Sequence, residues 1–112
     1  MAIIVNKKYI KGRKFEYECE EVLRKQFGCF LTVRSAGSKG VFDVVGFSHN
    51  FMFGIEVKSP RKGYKPTKAE IDKLKAVPKP RGYILRRGIW IREKGNEYSF
   101  AMHWVDLEDG ER

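Results

Sequence analysis

A chain of 112 residues has the length of one domain with a hydrophobic core, and we expect residues 1–112 to form a single domain. The hydrophobic content of 42% and the aromatic content of 13% exclude wholesale disorder. With 23 Lys and Arg against 14 Asp and Glu, the net charge of +9 favours a polyanionic partner, nucleic acid before a membrane surface.

The two cysteines, Cys19 and Cys29, have no Cys or His partner at the spacing of a zinc site, so structural zinc is not expected. Such sparse cysteine usage is typical of a reducing compartment. Residues 1–5 are too few for the apolar core of a signal peptide, and no apolar run approaches membrane-spanning length. We therefore expect a soluble, cytoplasmic protein (in the host cytoplasm for a viral source) with no membrane partner.

The N-terminal third predicts an arm, a helix and a strand. Residues 1–11 are typical of a short arm or edge strand, and residues 12–27 of a helix. The apolar stripe of this helix has helical spacing and consists of Phe15, Cys19, Val22, Leu23 and Gln26 or Phe27. Glu16 borders the stripe, where it can reach a site on the sheet or serve as a surface charge, and spacing alone favours neither. Residues 29–33 predict the first strand.

Two small or basic segments each have a plain and a functional interpretation. Residues 34–40 form either an ordinary hairpin loop or a phosphate contact, because small residues let backbone N–H groups approach an anion closely. Residues 59–66 form a basic loop with one aromatic residue, which is either a solvated connector or a segment that follows a phosphate backbone.

The sequence between these segments predicts a β-hairpin. In residues 51–58 the apolar side chains take the odd positions, so Glu56 and Lys58 share the opposite face of the strand. Residues 41–47 predict the partner strand.

The register of this hairpin decides what its acidic residues can do. An even-numbered turn, for example at residues 49–50, pairs Asp43 with Glu56 and places their Cβ atoms about 4.5–5.5 Å apart. Two carboxylates this close repel each other unless a cation or a shared proton lies between them. Mg²⁺ or Mn²⁺ suits an all-oxygen site, and Lys58 adds a positive group at its edge. An isolated Glu-x-Lys is more often a solvated strand face, but the matching Asp in apolar strands favours the metal site.

The last part of the chain predicts a helix and three strands. A capping box at residues 67–70 opens a helix that continues through Val77. Three strands are predicted after it, at residues 82–87, 89–92 and 98–104, with a turn at 93–96. The predicted order after the arm is αβββαβββ.

Four segments together resemble the archaeal-type Holliday junction resolvases (Hjc-like) of the PD-(D/E)xK nuclease superfamily. They are Lys11-Gly12-x-x-x-Glu16, Val33-Arg34-Ser35-Ala36-Gly37-Ser38, Asp43 and Ile55-Glu56-Val57-Lys58. The Asp and the Glu-x-Lys are typical of the whole superfamily, whereas Arg-Ser-Ala-Gly-Ser is more particular to the resolvases. The resemblance covers roughly residues 11–77, and the N-terminal arm and the short C-terminal part depart from it.

The resemblance implies a fold and a set of residue roles. The fold is α/β (α+β), restriction-endonuclease-like, with a central mixed β-sheet flanked by helices, and the activity is that of a Mg²⁺-dependent nuclease, with Mn²⁺ as a second candidate cation. The implied metal ligands are Asp43, Glu56, Glu16 (directly or through water) and the carbonyl of Val57. Lys58 is implied to position or help deprotonate the attacking water, and Ser35 and Ser38 to contact a phosphate. Candidate phosphate contacts are Arg13, Lys14, Arg34, Ser35, Ser38, Lys39, Arg61, Lys62 and Lys65.

The resemblance also implies a partner, branched DNA in the form of a four-way junction. Such a junction is close to two-fold symmetric, so its expected reader is a symmetric homodimer. The C-terminal part has enough apolar residues for either a dimer interface or a simple core, namely Ile89, Trp90, Ile91, Phe100, Met102 and Trp104. Two alternatives stay open. One is a related nuclease that acts on linear or damaged DNA, and the other is a non-catalytic nucleic-acid-binding module, against which the clustered acids argue.

Overall fold

The computed structural model of the chain describes residues 7–35, 41–60, 63–79, 81–92 and 100–106. Two helices and five strands lie in these ranges: α1 (Lys7–Gln26), β1 (Leu31–Arg34), β2 (Val44–Phe47), β3 (Phe51–Lys58), α2 (Lys68–Lys75), β4 (Ile84–Ile91) and β5 (Ala101–Trp104). The strands form one sheet in the order β1-β2-β3-β4-β5, in which β3 and β4 are parallel and all other neighbours are antiparallel. This confirms the predicted α+β fold with a mixed sheet flanked by helices.

One face of the sheet packs against α1. The odd positions of β3 point to this face, as the sequence alternation predicts, and Phe53 and Ile55 are buried there with Cys19 and Leu23 of α1. Among the described residues, these belong to the larger of two apolar clusters. In it, the apolar row of α1, which repeats every three to four residues, packs against the apolar row of β3, which repeats every two.

The opposite face carries α2. Leu74 of α2 is fully buried against Ile89 and Ile91 of β4. The Arg87 side chain, on the same face of β4, donates from Nε and Nη2 to the Asp106 carboxylate, both at 2.6 Å. Its Nη1 donates to three backbone carbonyls at the end of α2, those of Leu74, Lys75 and Val77, at 3.1, 2.9 and 2.9 Å. We call Arg87, Asp106 and these carbonyls the Arg87 cluster; it supplies a side-chain donor to carbonyls at the end of a helix, where backbone donors are few.

The course of β4 corrects the predicted element order. The prediction of separate strands at 82–87 and 89–92 is wrong, because Ile84–Ile91 is continuous, and the order in the described residues is αβββαββ. Gly88, which lies between the two predicted strands, makes room for β5. A Cβ added at Gly88 would lie 3.0 Å from the Trp104 ring and 3.1 Å from Met102 Sδ. The glycine therefore reflects close packing between strands and not a turn.

The start of α1 corrects a second prediction. Residues 7–11, predicted as part of an arm, lie in the helix, which begins at Lys7. The apolar stripe that marks the helix in the sequence begins only at Phe15, whereas lysine-rich residues before it continue the helix by their own propensity. Residues 1–6 of the predicted arm lie outside the described residues.

Other boundaries differ less. β1 is shifted by a residue or two toward the C-terminus, β2 is shorter than predicted by three residues at its start, and β3 has the predicted bounds. Thr67 is the N-cap of α2, and both hydrogen bonds of the predicted capping box are present. The predicted turn at 93–96 lies outside the described residues.

The apolar residues offered as a dimer interface divide between core and surface. Ile89, Trp90 and Ile91 are buried within the chain, so the interface interpretation is wrong for these three. Met102 and Trp104 are partly buried against the α1-side cluster, and Phe100 is 38% exposed. In the ranges that the structure describes, no helix is long and apolar enough to cross a membrane.

Candidate active site

The β2–β3 hairpin has the register that the sequence predicts. Val44 lies opposite Ile55, and the Ser48 N–H donates to the Phe51 carbonyl at 2.8 Å, which closes a two-residue turn at 49–50. Continued by one residue, this register would pair Asp43 with Glu56, as the sequence predicts, but that prediction is wrong, because the paired residues end at Val44 opposite Ile55. The Asp43 N–H donates to the Ile55 carbonyl at 2.9 Å, so Asp43 and Val44 both oppose Ile55. Two residues against one define a β-bulge, which re-aims the extra residue.

The bulge places the Asp43 carboxylate in line with the backbone hydrogen bonds between β2 and β3. Its Oδ2 accepts a hydrogen bond from the Val57 N–H at 2.8 Å, where the backbone carbonyl of a regular strand partner would lie. Burial raises the pKa of Asp43; the Val57 hydrogen bond opposes this rise, and the negative charge of Glu56 adds to it. Asp43 therefore carries its charge at a cost that a nearby cation would remove.

Glu56 and Lys58 lie on the α2 side of the sheet beside Asp43. The Lys58 ammonium is 3.1 Å from Oε1 of Glu56. Oε2 of Glu56 is buried and has no hydrogen-bond partner among the described residues. A buried carboxylate oxygen without a donor is uncommon, because it loses its hydration without replacement. We call Asp43, Glu56 and Lys58 the acidic site.

A glycine in β3 shapes the wall of this site. A Cβ added at Gly54 would lie 2.4–2.6 Å from three atoms of the Phe42 ring. Only glycine lets the ring cross the strand, since rigid ring atoms cannot yield at that distance. Phe42 packs against the α2-side cluster, so this contact joins the segment before Asp43 to the core.

Glu16 is half-buried on α1, as its border position predicts, and its nearest charged partner is Arg34. Arg34 Nη1 donates to Glu16 Oε1 at 3.2 Å, and its Nη2 donates to the Tyr17 hydroxyl at 3.1 Å. Burial raises the pKa of Glu16; the Arg34 hydrogen bond opposes this, and the charge of Asp43 adds to it. The effect of Asp43 shows that Glu16 lies near the acidic site, while its hydrogen bond is to Arg34.

Two further predicted residues adjoin Asp43 through the backbone. The N–H and carbonyl of one strand residue point to the same side, so the Val57 carbonyl faces Asp43 as its N–H does. The Ser35 N–H donates to the Asp43 carbonyl at 2.9 Å, which sets Ser35 beside the site at the end of β1.

These oxygens fit a hard divalent cation. Carboxylates and a backbone carbonyl are ligands that Mg²⁺ and Mn²⁺ take. Among the described residues, Oε2 of Glu56 has no hydrogen-bond partner, and burial raises the pKa of Asp43. A cation would supply a partner for Glu56 and favour the charged form of Asp43. Within the described ranges, no three acidic, His or Cys side chains converge as a metal-binding group. Glu16 lies 3.2 Å from Arg34 and is not part of such a group. Direct coordination by Glu16 stays a prediction.

The predicted phosphate contacts are only partly visible. Arg13, Lys14 and Lys65 are exposed, and the side chain of Arg34 is one-quarter exposed. Ser38, Lys39, Arg61 and Lys62 lie outside the described residues.

One contact of the acidic site has no signal in the sequence. Glu70 of α2, 3.2 Å from the Lys58 ammonium, also accepts a hydrogen bond from the Tyr64 hydroxyl. The capping box located Glu70 at the start of α2, but no sequence signal shows that this start adjoins β3.

No protein-family model and no curated protein matches this sequence. Among solved structures, the chain is similar to Hjc, a Holliday junction resolvase of the archaeal hyperthermophile Archaeoglobus fulgidus. The TM-score is 0.56 at 20% sequence identity, and the match covers 88% of this chain and 79% of the Hjc chain. This likeness confirms the restriction-endonuclease-like architecture that the sequence motifs imply. The chain has the fold of the archaeal resolvase Hjc.

Proposed function

We propose that the chain is a metal-dependent endonuclease that hydrolyses phosphodiesters in four-way DNA junctions as a symmetric dimer. The observation that carries this proposal is the acidic site, in which a bulge brings Asp43 beside the Glu56–Lys58 pair and an oxygen of Glu56 has no partner among the described residues. The fold shared with Hjc supports it, and so does the net charge of +9, which favours a polyanion.

Each residue of the acidic site has a role that its surroundings support. Asp43, Glu56 and the Val57 carbonyl are the groups that would hold Mg²⁺, with Glu16 nearby for a water-mediated contact. When bound, the cation supplies polarisation of the phosphate and a lowered pKa for an attacking water. Lys58 brings a positive charge to the side of the site where negative charge develops on the phosphate oxygens.

The contacts of Lys58 favour one of its two implied roles. Its ammonium lies 3.1 Å from Glu56 and 3.2 Å from Glu70. An ammonium held between two carboxylates is placed to orient a water and to stabilise charge that develops on the phosphate oxygens. We therefore assign Lys58 to charge stabilisation and the orientation of water.

The dimer is the part of the proposal that rests on the substrate. Two strands of a junction must be cut, and a two-fold assembly presents two acidic sites in matching orientations. Because Ile89, Trp90 and Ile91 are buried, the interface must use other residues.

The decisive experiment compares DNA cleavage by the parent protein and by Asp43→Asn. Asparagine keeps the shape of the side chain and removes the charge that a divalent cation needs. We expect the rate of four-way-junction cleavage with Mg²⁺ to fall about 10²–10³-fold. Binding of the junction in metal-free buffer should be as tight as that of the parent or tighter, because it depends on basic side chains.

Asp72→Asn is the matched control, because Asp72 is an exposed residue of α2 and undergoes the same chemical change. It should cut at the parent rate. Near-normal cutting by Asp43→Asn would remove Asp43 from the active site. Equal cutting of a linear duplex by the parent would favour the nuclease of different specificity, and binding without any cutting would favour the non-catalytic module.

A further inference from the structure

Glu70 is the third residue of α2 and closes the capping box of this helix. The Glu70 N–H donates to Thr67 Oγ1 at 3.2 Å, and the Thr67 N–H donates to Glu70 Oε1 at 3.0 Å. This pair of hydrogen bonds is a common way to satisfy donors at the start of a helix, and by itself it explains a glutamate at this position.

The same carboxylate makes two contacts that a helix cap does not need. Its Oε2 lies 3.2 Å from the ammonium of Lys58, and the Tyr64 hydroxyl lies 2.5 Å from both of its oxygens. Lys58 is therefore held between two carboxylates, those of Glu56 on its own strand and Glu70 on α2.

The geometry fixes Glu70 as a charged partner for Lys58. Its side chain is 20% exposed, and it receives hydrogen bonds from a hydroxyl, a backbone N–H and the ammonium. Burial acts to raise the pKa of Glu70, but the hydrogen bonds, that of Tyr64 foremost, outweigh it and lower the pKa to about 2. The carboxylate is thus ionised wherever the protein is folded near neutral pH, and Tyr64 fixes its orientation.

A lysine in this position needs a second partner. Its side chain is long and flexible, and one surface-like ion pair constrains it weakly. Glu56, its partner on β3, is also a candidate metal ligand, and a carboxylate that turns toward a cation releases the ammonium. Glu70 has no such competing role, because it is anchored to Thr67 and Tyr64.

We propose that Glu70 is a positioning residue that holds the ammonium of Lys58 at the acidic site, whatever Glu56 binds. This inference rests on the proposed nuclease function for its effect on catalysis, and on the contacts alone for the ordering of Lys58. The same glutamate thereby caps α2 and binds the ammonium of Lys58 on β3.

The test uses Glu70→Gln, which separates the two roles of the side chain. Glutamine also completes a capping box and its carbonyl oxygen accepts from Thr67 and Tyr64, so the helix start stays intact. Only the charge that faces Lys58 is lost. We expect kcat for junction cleavage to fall about 10- to 100-fold with KM unchanged, because a misplaced group costs rate and not substrate binding.

Thr67→Ala is the matched control, since it breaks the cap and leaves the Glu70 charge in place. It should lower the midpoint of thermal unfolding while kcat stays within about twofold of the parent, measured well below that midpoint. The opposite pattern, with kcat reduced by Thr67→Ala and preserved by Glu70→Gln, would show that Glu70 acts only as a helix cap.

A second measurement does not need cleavage. The side-chain ¹⁵N signal of the Lys58 ammonium, followed by NMR in metal-free buffer and with added Mg²⁺, should be sharp in the parent and in Thr67→Ala. It should broaden in Glu70→Gln, most strongly with Mg²⁺. An unchanged Lys58 signal in Glu70→Gln overturns the positioning role even if the parent cuts DNA. A parent that cuts no DNA overturns the proposed function, while the NMR result still decides whether Glu70 orders Lys58.

Discussion

Two groups of charged side chains lie on the α2 side of the same sheet. One has all its charged atoms hydrogen-bonded within the described residues, whereas the other does not. In the Arg87 cluster, the guanidinium meets the Asp106 carboxylate through two nitrogens and three carbonyls through a third. In the acidic site, two carboxylates lie near each other, one oxygen of Glu56 lacks a partner in the described part of the chain, and the pKa of Asp43 is raised.

The difference distinguishes a structural charge from a functional one. Removing charge from water is costly, and a protein that only needs stability compensates it fully, as the Arg87 cluster does. Charge that stays incompletely compensated is typical of a place where a ligand completes the set. Both groups are ionic and at least partly buried, so burial alone does not separate them. The number of hydrogen-bond partners does.

Breaking the satisfied cluster has the largest expected effect. Asp106→Asn leaves the guanidinium of Arg87 buried beside a neutral amide, and we expect a loss of about 3–5 kcal/mol in the free energy of unfolding. Urea denaturation of the parent and the variant measures it. Asp72→Asn, the exposed control, should change stability by less than about 0.5 kcal/mol. A loss below about 1 kcal/mol for Asp106→Asn would show that the cluster is not what fastens the end of α2.

A charge-removing substitution in the acidic site should have the opposite effect on stability. Asp43→Asn removes a charge that burial disfavours, so in metal-free buffer we expect it to unfold at the same temperature as the parent or a higher one. Mg²⁺ at 100 times its Kd should stabilise the parent by about 2.7 kcal/mol and leave the variant unchanged. Thermal unfolding with EDTA and across a Mg²⁺ titration checks both statements. An equal response of the two proteins to Mg²⁺ would place the cation elsewhere.

The smallest expected effect lies in the pH dependence of stability, where Asp106 and Asp43 act oppositely. Burial acts to raise the pKa of Asp106, but hydrogen bonds from Arg87 outweigh it and hold this pKa below its ordinary 3.8. Asp106 therefore stabilises the fold above pH 3.8, and that contribution is lost as the pH falls through its lowered pKa. Burial and the charge of Glu56 raise the pKa of Asp43 above its ordinary 3.8. The protonated form of Asp43 therefore stabilises the fold below pH 3.8, and this stabilisation is lost as the pH rises through the raised pKa.

Urea unfolding in EDTA across the acid range compares these two slopes. Asp106→Asn should flatten the loss of stability on the acid side of pH 3.8, and Asp43→Asn should flatten the decline above it. If either variant kept the slope of the parent in its own range, the pKa assigned to that aspartate would be wrong.

Local sequence patterns were enough to predict a large part of the fold. The alternation of Phe53 and Ile55 with Glu56 and Lys58 located β3 and both of its faces, because strand side chains alternate whatever their partners are. A two-residue turn at 49–50 was one even-numbered possibility for the hairpin, and the structure has it; the capping box followed from its spacing. These features depend on residues close in sequence.

What the sequence left open depends on distant contacts. The prediction divided β4 at Gly88, whereas the glycine is explained by the close packing of β5 against it, which the sequence does not reveal. Arg87 resembles any surface arginine in the sequence, and only the fold brings Asp106 and the end of α2 to it. The bulge at Asp43 is a backbone hydrogen-bond pattern with no residue signature, and Glu70 meets Lys58 only through tertiary structure.

The contacts that hold α2 at its two ends have a consequence for how the protein loses activity on heating. A helix of eight residues is not stable alone, and this one is fixed at its C-terminal end by Arg87 and at its N-terminal end by the contact between Glu70 and Lys58. Cooperative units with few buried contacts open before the whole domain does. A sub-global opening of α2 would leave the sheet intact and release the ammonium of Lys58, so heat inactivation should precede the melting of the domain. Amide hydrogen exchange would register that opening as faster exchange in α2 than in β3.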